Sequence, residues 1–225
     1  MSGQDALRGF LDKWQARWPE WAVGMVFIPE NQREIAAAWL ALRDELADAA
    51  WGGADARPGE AKLAWWGDEL QGWAKGARRH PLGVALQKQP AAWQVLGEAL
   101  PALSGARGVG AVDAAIAAVS PFAARASEVE QVLFGGNGEA SSSSAHAAAL
   151  LAERLSREAE GGVADDVASA AKGLLAAWPA SRAATRPIRI HHAFVRRRLQ
   201  RLASGQSPLP GRFTSLFDAW NAARG

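Results

Sequence analysis

The chain has 225 residues, a formal net charge of +2 at pH 7, no cysteine and no tyrosine. That length can enclose one sizeable core, and one domain over residues 1–225 is expected. Without cysteine there are no disulfides, thiolate metal sites or cysteine nucleophiles, and the composition suits a reducing compartment.

Alanine dominates, valine and isoleucine are sparse, and threonine occurs only at Thr185 and Thr214. Strand formers are therefore scarce while the best helix formers abound, which predicts an all-α fold. No stretch reaches the roughly 18 uncharged apolar residues that a membrane span needs. The start, "MSGQDALRGFLDKW", lacks the basic-then-apolar order of a secretion signal, so a cytoplasmic location is expected.

Apolar spacing near 3.6 places the elements in chain order. A first helix is expected over Gln4–Trp18, stopped by Pro19. A second begins after Pro29 and runs through "ENQREIAAAWLALRDELADAAW" to the break at Gly52-Gly53. A third, Gly59–Gly76, sets Leu63, Trp66, Leu70 and Trp73 on one stripe. "RRHPLG" reads as a turn, followed by a short helix and another over Pro90–Leu100. "SGARGVG" (Ser104 to Gly110) reads as a loop whose glycines miss both phosphate-loop spacings. Helices follow at Ala111–Ser120 and Pro121–Leu133, and then "GGNGEASSSS" (Gly135 to Ser144) is a flexible linker by composition. The last four helices are Ala145–Glu160, Val163–Trp178, Ile188–Ala203 and Arg212–Ala223.

The second helix carries the first candidate site. Ile35, Trp39, Leu42 and Leu46 form a stripe, and Ala36, Ala37, Leu40 and Ala41 make the rest apolar, as in a central, buried helix. Asp44 and Asp48 project from it one turn apart. Two carboxylates in such a place need a cation or a solvated opening to stay ionised. Magnesium is the natural ion where a substrate brings phosphates. The alternative is an exposed helix end with the acids paired to Arg43 or solvated.

Charge is unevenly spread. Residues 1–166 carry 15 Lys+Arg against 22 Asp+Glu, whereas residues 167–217 carry nine Lys+Arg and no acid. A basic face late in the chain could meet an acidic partner, a phosphate or the anionic inner face of a membrane, or its arginines could pair with the acidic first part. Within it, "RIHHAFVRRRLQRL" (Arg189 to Leu202) turns Val195, Leu199 and Leu202 inward and Arg196, Arg197 and Arg201 outward. Binding of nucleic acid is not expected, because the charge is local and no recognised motif accompanies it. His191 and His192 point apart, which disfavours a shared metal, and His146 has no assignable acidic partner for a triad. Eleven tryptophans, nine of them before residue 94, read mainly as core.

Two blocks carry a resemblance. "RDELAD" (Arg43 to Asp48), within "EIAAAWLALRDELADAAW", resembles the first aspartate-rich motif, D-E/D-x-x-D, of the squalene/phytoene synthase family. "KLAWWGDELQGWAKGARRHPLGVAL" (Lys62 to Leu86) is similar to that family's K-L-x-W-W-x-x-E-L segment, and "PLPGRFTSLFDAWNAARG" resembles the end of some bacterial members. The resemblance implies an isoprenoid-synthase-like helical array around a central cavity. Active members condense two prenyl diphosphates head to head with Mg2+. Carried onto this chain, Asp44, Glu45 and Asp48 would hold the metal, with Asp44 and Asp48 catalytic. Arg43, Trp39 and Trp66 would bind an isoprenoid diphosphate such as farnesyl or geranylgeranyl diphosphate, and peripheral membrane contact would deliver it. The family's second motif, N-I-x-R-D-x-x-E-D, corresponds to "AAALLAERLSREAEGG" (Ala147 to Gly162), with Arg157-Glu158 in place of arginine and aspartate. No second D-x-x-x-D follows, and Asp165 and Asp166 are the nearest substitute. The resemblance thus leaves two expectations: a prenyltransferase, or a non-catalytic binding or assembly protein that keeps the fold.

Overall fold

A computed structural model describes residues 3–108, 110–135, 142–162, 165–180 and 184–225. Among the described residues there are twelve α-helices and no strand, as the scarcity of β-branched residues predicts. Helix α1 (Gly3–Arg17) stops short of Pro19, and a single turn, α2 (Trp21–Gly24), follows it. Two 3₁₀ turns, Met25–Phe27 and Glu30–Gln32, lead into α3 (Arg33–Trp51). Helix α4 (Arg57–Ala74) has a proline in its first turn, where its missing N–H costs nothing. Three short helices come next: α5 (Gly83–Leu86), α6 (Trp93–Glu98) and α7 (Pro101–Gly105). The second half holds α8 (Val112–Phe134), α9 (Ser143–Glu158), a 3₁₀ turn at Ala159–Gly161, α10 (Asp165–Ala176), α11 (Arg186–Ala203) and α12 (Arg212–Ala223).

Four elements depart from the sequence expectation, the first being α2, since no helix was expected between Pro19 and Pro29. Helix α8 runs unbroken through Pro121, where two helices were expected. The proline removes one backbone bond, but α8 is packed along its length against α7, α6 and α9, and tertiary contact outweighs the local penalty. The expected loop at Ser104 is shortened by α7, which pins Leu103 in the core. Most of the expected linker, residues 136–141, lies outside the described residues. Its end is not linker: the Ser142 hydroxyl accepts from the Ala145 N–H at 3.4 Å and caps α9, which begins at Ser143.

Helices α3 and α9 are the central pair. Helix α9 is buried without interruption from Ala145 to Ser156, and α3 buries 14 of its 19 residues. Their alanines are the reason: small side chains let α3 touch α1, α4, α5, α7 and α9, and let α9 touch α8, α10 and α11. One hydrophobic cluster includes residues from Leu7 to Ala219. Gly59 marks the closest approach of α4 to α3, since a Cβ there would stand 2.1 Å from the Ala49 carbonyl oxygen. The tryptophans of α3, α4 and α6 fill the middle of the first half, with Trp73 and Trp93 in edge contact at 5.2 Å between centroids.

His80 caps this aromatic layer. Its ring lies 4.5 Å from those of both Phe10 and Trp66, and burial pushes its pKa down from 6.5 to about 4. The folded protein therefore holds His80 neutral at pH values where the unfolded chain protonates it. Its contribution to stability is complete above pH 6.5 and is lost as pH falls towards 4. Urea unfolding across that window will show stability falling with acidity, and His80→Phe will flatten the slope; an unchanged slope would contradict this assignment.

Candidate functional site

Helix α3 turns its charged residues three ways. Asp44 looks into an open cleft of about 430 Å³, lined by Arg17, Trp18, Glu153, Arg157, Glu160 and Arg198 among others. Glu45 and Asp48 face Lys62 of α4. Arg43 points into the interior.

Every carboxylate of the motif meets a cation. The Arg157 guanidinium, reaching across from α9, donates to Asp44 Oδ1 at 2.5 Å, to the Asp44 carbonyl at 2.9 Å and to Asp48 Oδ1 at 3.3 Å. Trp18 Nε1 donates to Asp44 Oδ1 at 3.2 Å, and Arg17 Nη1 to Asp44 Oδ2 at 3.4 Å. Lys62 bridges Glu45 at 2.9 Å and Asp48 at 3.3 Å, and Lys13 reaches Glu45 at 3.2 Å. Burial raises the Asp44 pKa in spite of Arg157 and Arg17. At the half-exposed Asp48 burial works in the same direction, but Lys62 and Arg157 hold its carboxyl below the ordinary value. Glu45 is likewise held down, against its burial, by Lys62 and Lys13.

This set does not fit a magnesium cluster. Such a cluster takes oxygen ligands from both faces of a site, yet α9 sets Arg157 on Asp44, and the α9 carboxylate that shares the cleft, Glu153, is engaged by Arg43 and His191. Glu158, expected from the resemblance in place of an aspartate, pairs with Arg154 at 3.3 Å and is exposed. Asp165 and Asp166 open α10 on the surface, where Asp166 accepts from the Val167 N–H, and neither lines the cleft. Among the described residues, no group of three or more His, Cys, Asp or Glu is arranged to hold a metal ion.

Arg43, Trp39 and Trp66 lie apart from the cleft. Arg43 Nη2 donates to Glu153 Oε1 at 2.8 Å and Nη1 to Glu130 Oε1 at 3.5 Å, while Trp39 Nε1 donates to the same Glu130 oxygen at 2.8 Å. His191 Nε2 meets Glu153 Oε1 at 2.9 Å. His146 Nδ1 lies 3.2 Å from Glu130 Oε2. His191 and His192 do point apart: His192 faces His146, at 5.8 Å between centroids. Trp66 packs between Trp65, Trp73 and His80 in the aromatic layer. Burial alone would raise Glu153, but Arg43 and His191 bring it down to about 2. Glu130 is lowered against full burial by His146, Arg43 and Trp39.

Helix α11 is less of a free basic face than its sequence suggests. Arg198 is buried, holding Glu20 through bonds of 2.6 and 2.7 Å and stacking 3.7 Å over the Trp18 ring. Arg197 is taken by Asp218 in two 2.8 Å bonds. Arg196 is exposed beside Trp178, and Arg201 is half-buried.

Sequence reasoning did not single out Arg17, Lys62, Glu130 or Glu153. A signal was present for Glu130, whose face of the helix carries Ala123, Ala126, Ser127 and Phe134 and so requires a buried partner for a carboxylate; Glu153, with Arg157 one turn on, gave no such signal. No protein-family model, curated protein or solved structure matches this chain.

Removing a partner from a buried ionic network leaves an uncompensated charge and costs about 3–5 kcal/mol. Arg43→Ala will lower unfolding free energy by an amount of that order in urea titration. In the parent protein, Glu153 contributes stability that is present above pH 4.5 and is lost as pH falls towards 2. That acid dependence will shrink in Arg43→Ala; a loss below about 1 kcal/mol would mean that the network is solvated or rearranged.

Proposed function

We propose that the chain is a squalene/phytoene-synthase-like protein that keeps the helical array as a non-catalytic binding protein, holding an isoprenoid diphosphate without metal-driven condensation. The observation that carries this reading is the Arg157 clasp on Asp44 and Asp48. Guanidinium is a permanent cation matched in shape to carboxylate, so it fills the electrostatic role that a divalent ion would otherwise take.

The same cleft suits an amphiphile with an anionic head. Arg17, Arg157 and Arg198 line it together with Ala16, Pro208 and Leu209. Arg17 is the most loosely held of the three, with ion-pair contacts of 3.4, 3.5 and 3.9 Å and a partly exposed side chain. A diphosphate would compete for it first. The proposal counts magnesium as dispensable, since it assigns the charge of the head group to arginine.

One observation favours the second reading, a condensing prenyltransferase. Asp44 is buried yet lines an open cleft, where an anionic substrate could draw Arg17 away from it. The two readings separate in one assay. With labelled farnesyl or geranylgeranyl diphosphate, the protein will bind without Mg2+, Arg17→Ala will weaken binding by about tenfold, the loss of one charge-assisted contact, and no pyrophosphate will be released when Mg2+ is added. Magnesium-dependent release of pyrophosphate, abolished by Asp44→Asn, would establish the enzyme instead.

A further inference from the structure

Helix α12 presents an apolar face that nothing among the described residues covers. Phe213 is 91% exposed, Phe217 59%, Trp220 42% and Leu216 41%. Their spacing of three and four residues sets all four on one stripe of the helix. The opposite side, Ser215 and Ala219, is buried where α12 packs on α11 and α2. The α12 stripe is thus an outward face, not a frayed end of the core. Val26, 62% exposed, sits on the 3₁₀ turn that also packs against α12.

Charge identifies what covers this face. Arg212 begins the helix, and Arg224, just past its end, stacks 4.4 Å over the Trp220 ring. A cleft of about 620 Å³ on another side of α12, where the helix contributes Asp218, Asn221 and Ala222, holds Arg189, Arg196 and Arg197. Asp218 is the sole acid after residue 166, and Arg197 neutralises it. Exposed aromatic side chains with an arginine at each end of their helix, whose one acid is already paired, complement a surface that is oily beneath and negative at its rim. That is the description of a bilayer containing anionic lipid, in which Trp and Phe sit at headgroup depth and arginines meet phosphates.

We infer that α12 lies on an anionic membrane surface, with Phe213, Leu216, Phe217 and Trp220 inserted into the interface and Arg212 and Arg224 on the headgroups. The helix is too short and its buried side too firmly packed for it to span; it docks the folded protein. The chain entering α12 carries Leu209 on the rim of the Asp44 cleft, so docking brings that cleft close to lipid. The inference stands on α12 alone and holds whether or not the cleft takes a prenyl diphosphate.

Co-sedimentation of the full chain with vesicles of phosphatidylcholine, with and without phosphatidylglycerol, tests it. The protein will pellet with the anionic vesicles and bind neutral ones at least about tenfold more weakly, and added salt will release it. The triple substitution Phe213→Ser, Phe217→Ser and Trp220→Ser will weaken binding to anionic vesicles by at least about tenfold, with helicity and thermal unfolding unchanged because all three residues are exposed. Arg212→Glu with Arg224→Glu will remove the preference for anionic lipid. Failure of the parent protein to pellet, or equal pelleting of the triple variant, would overturn the inference. So would a dimer in equilibrium sedimentation that the triple substitution dissociates, since the covering partner would then be a second copy.

Discussion

The α3–α9 interface depends on charge compensation. Two helices rich in alanine approach closely and carry Arg43, Asp44, Asp48, Glu153 and Arg157 into or beside the core. Ionised groups in such surroundings are tolerated only when each meets an opposite charge at hydrogen-bonding distance. Here the exchange is reciprocal: α3 sends Arg43 to Glu153 of α9, and α9 sends Arg157 to Asp44 and Asp48 of α3. The remaining contacts extend that exchange outwards, through Glu130 and His191 on the inner side and through Arg17 and Lys62 on the outer.

This arrangement bears directly on function. A site that binds divalent metal keeps carboxylates in excess, so that an ion is needed to balance them. The outer layer of this interface has its own guanidinium and ammonium groups on the carboxylates. Guanidinium cannot be titrated away in the accessible pH range, and Arg157 is itself well buried, so the clasp is a fixed part of the fold. The proposed role as a binding protein follows from that balance, and docking of α12 on a bilayer would place such a protein where oily diphosphates reside.

The helical class and most helix bounds were legible because they rest on composition and on a period that burial imposes. The expectation that the second helix is central rested on apolar residues all round it, and α3 has that position. The unbroken run through Pro121 was not legible, because a local rule gave way to packing by residues far away in sequence. Within the site, the importance of Asp44 could be read from an acid in an apolar segment, but its partner could not. Arg157 lies 113 residues further on, and no local spacing reveals which cation a distant helix will supply. In the basic segment, Arg196, Arg197 and Arg201 were expected outward and none of them is buried, but Arg198, for which no direction was expected, follows the inward stripe of Phe194 and Val195 and is buried against Glu20. The exposed face of α12 was within reach of sequence, since Phe213, Leu216, Phe217 and Trp220 already share a stripe, but only packing shows that Ser215 and Ala219 are the residues turned inward.

The most direct measurement is a titration of the folded protein with Mg2+, following the side-chain carboxyl carbon resonances of Asp44 and Asp48. Internal compensation by Arg157, Arg17 and Lys62 predicts that neither resonance moves up to millimolar metal. A saturable shift of both, at metal concentrations that leave the exposed Asp55 unaffected, would show that the carboxylates are free to bind metal and would contradict the account.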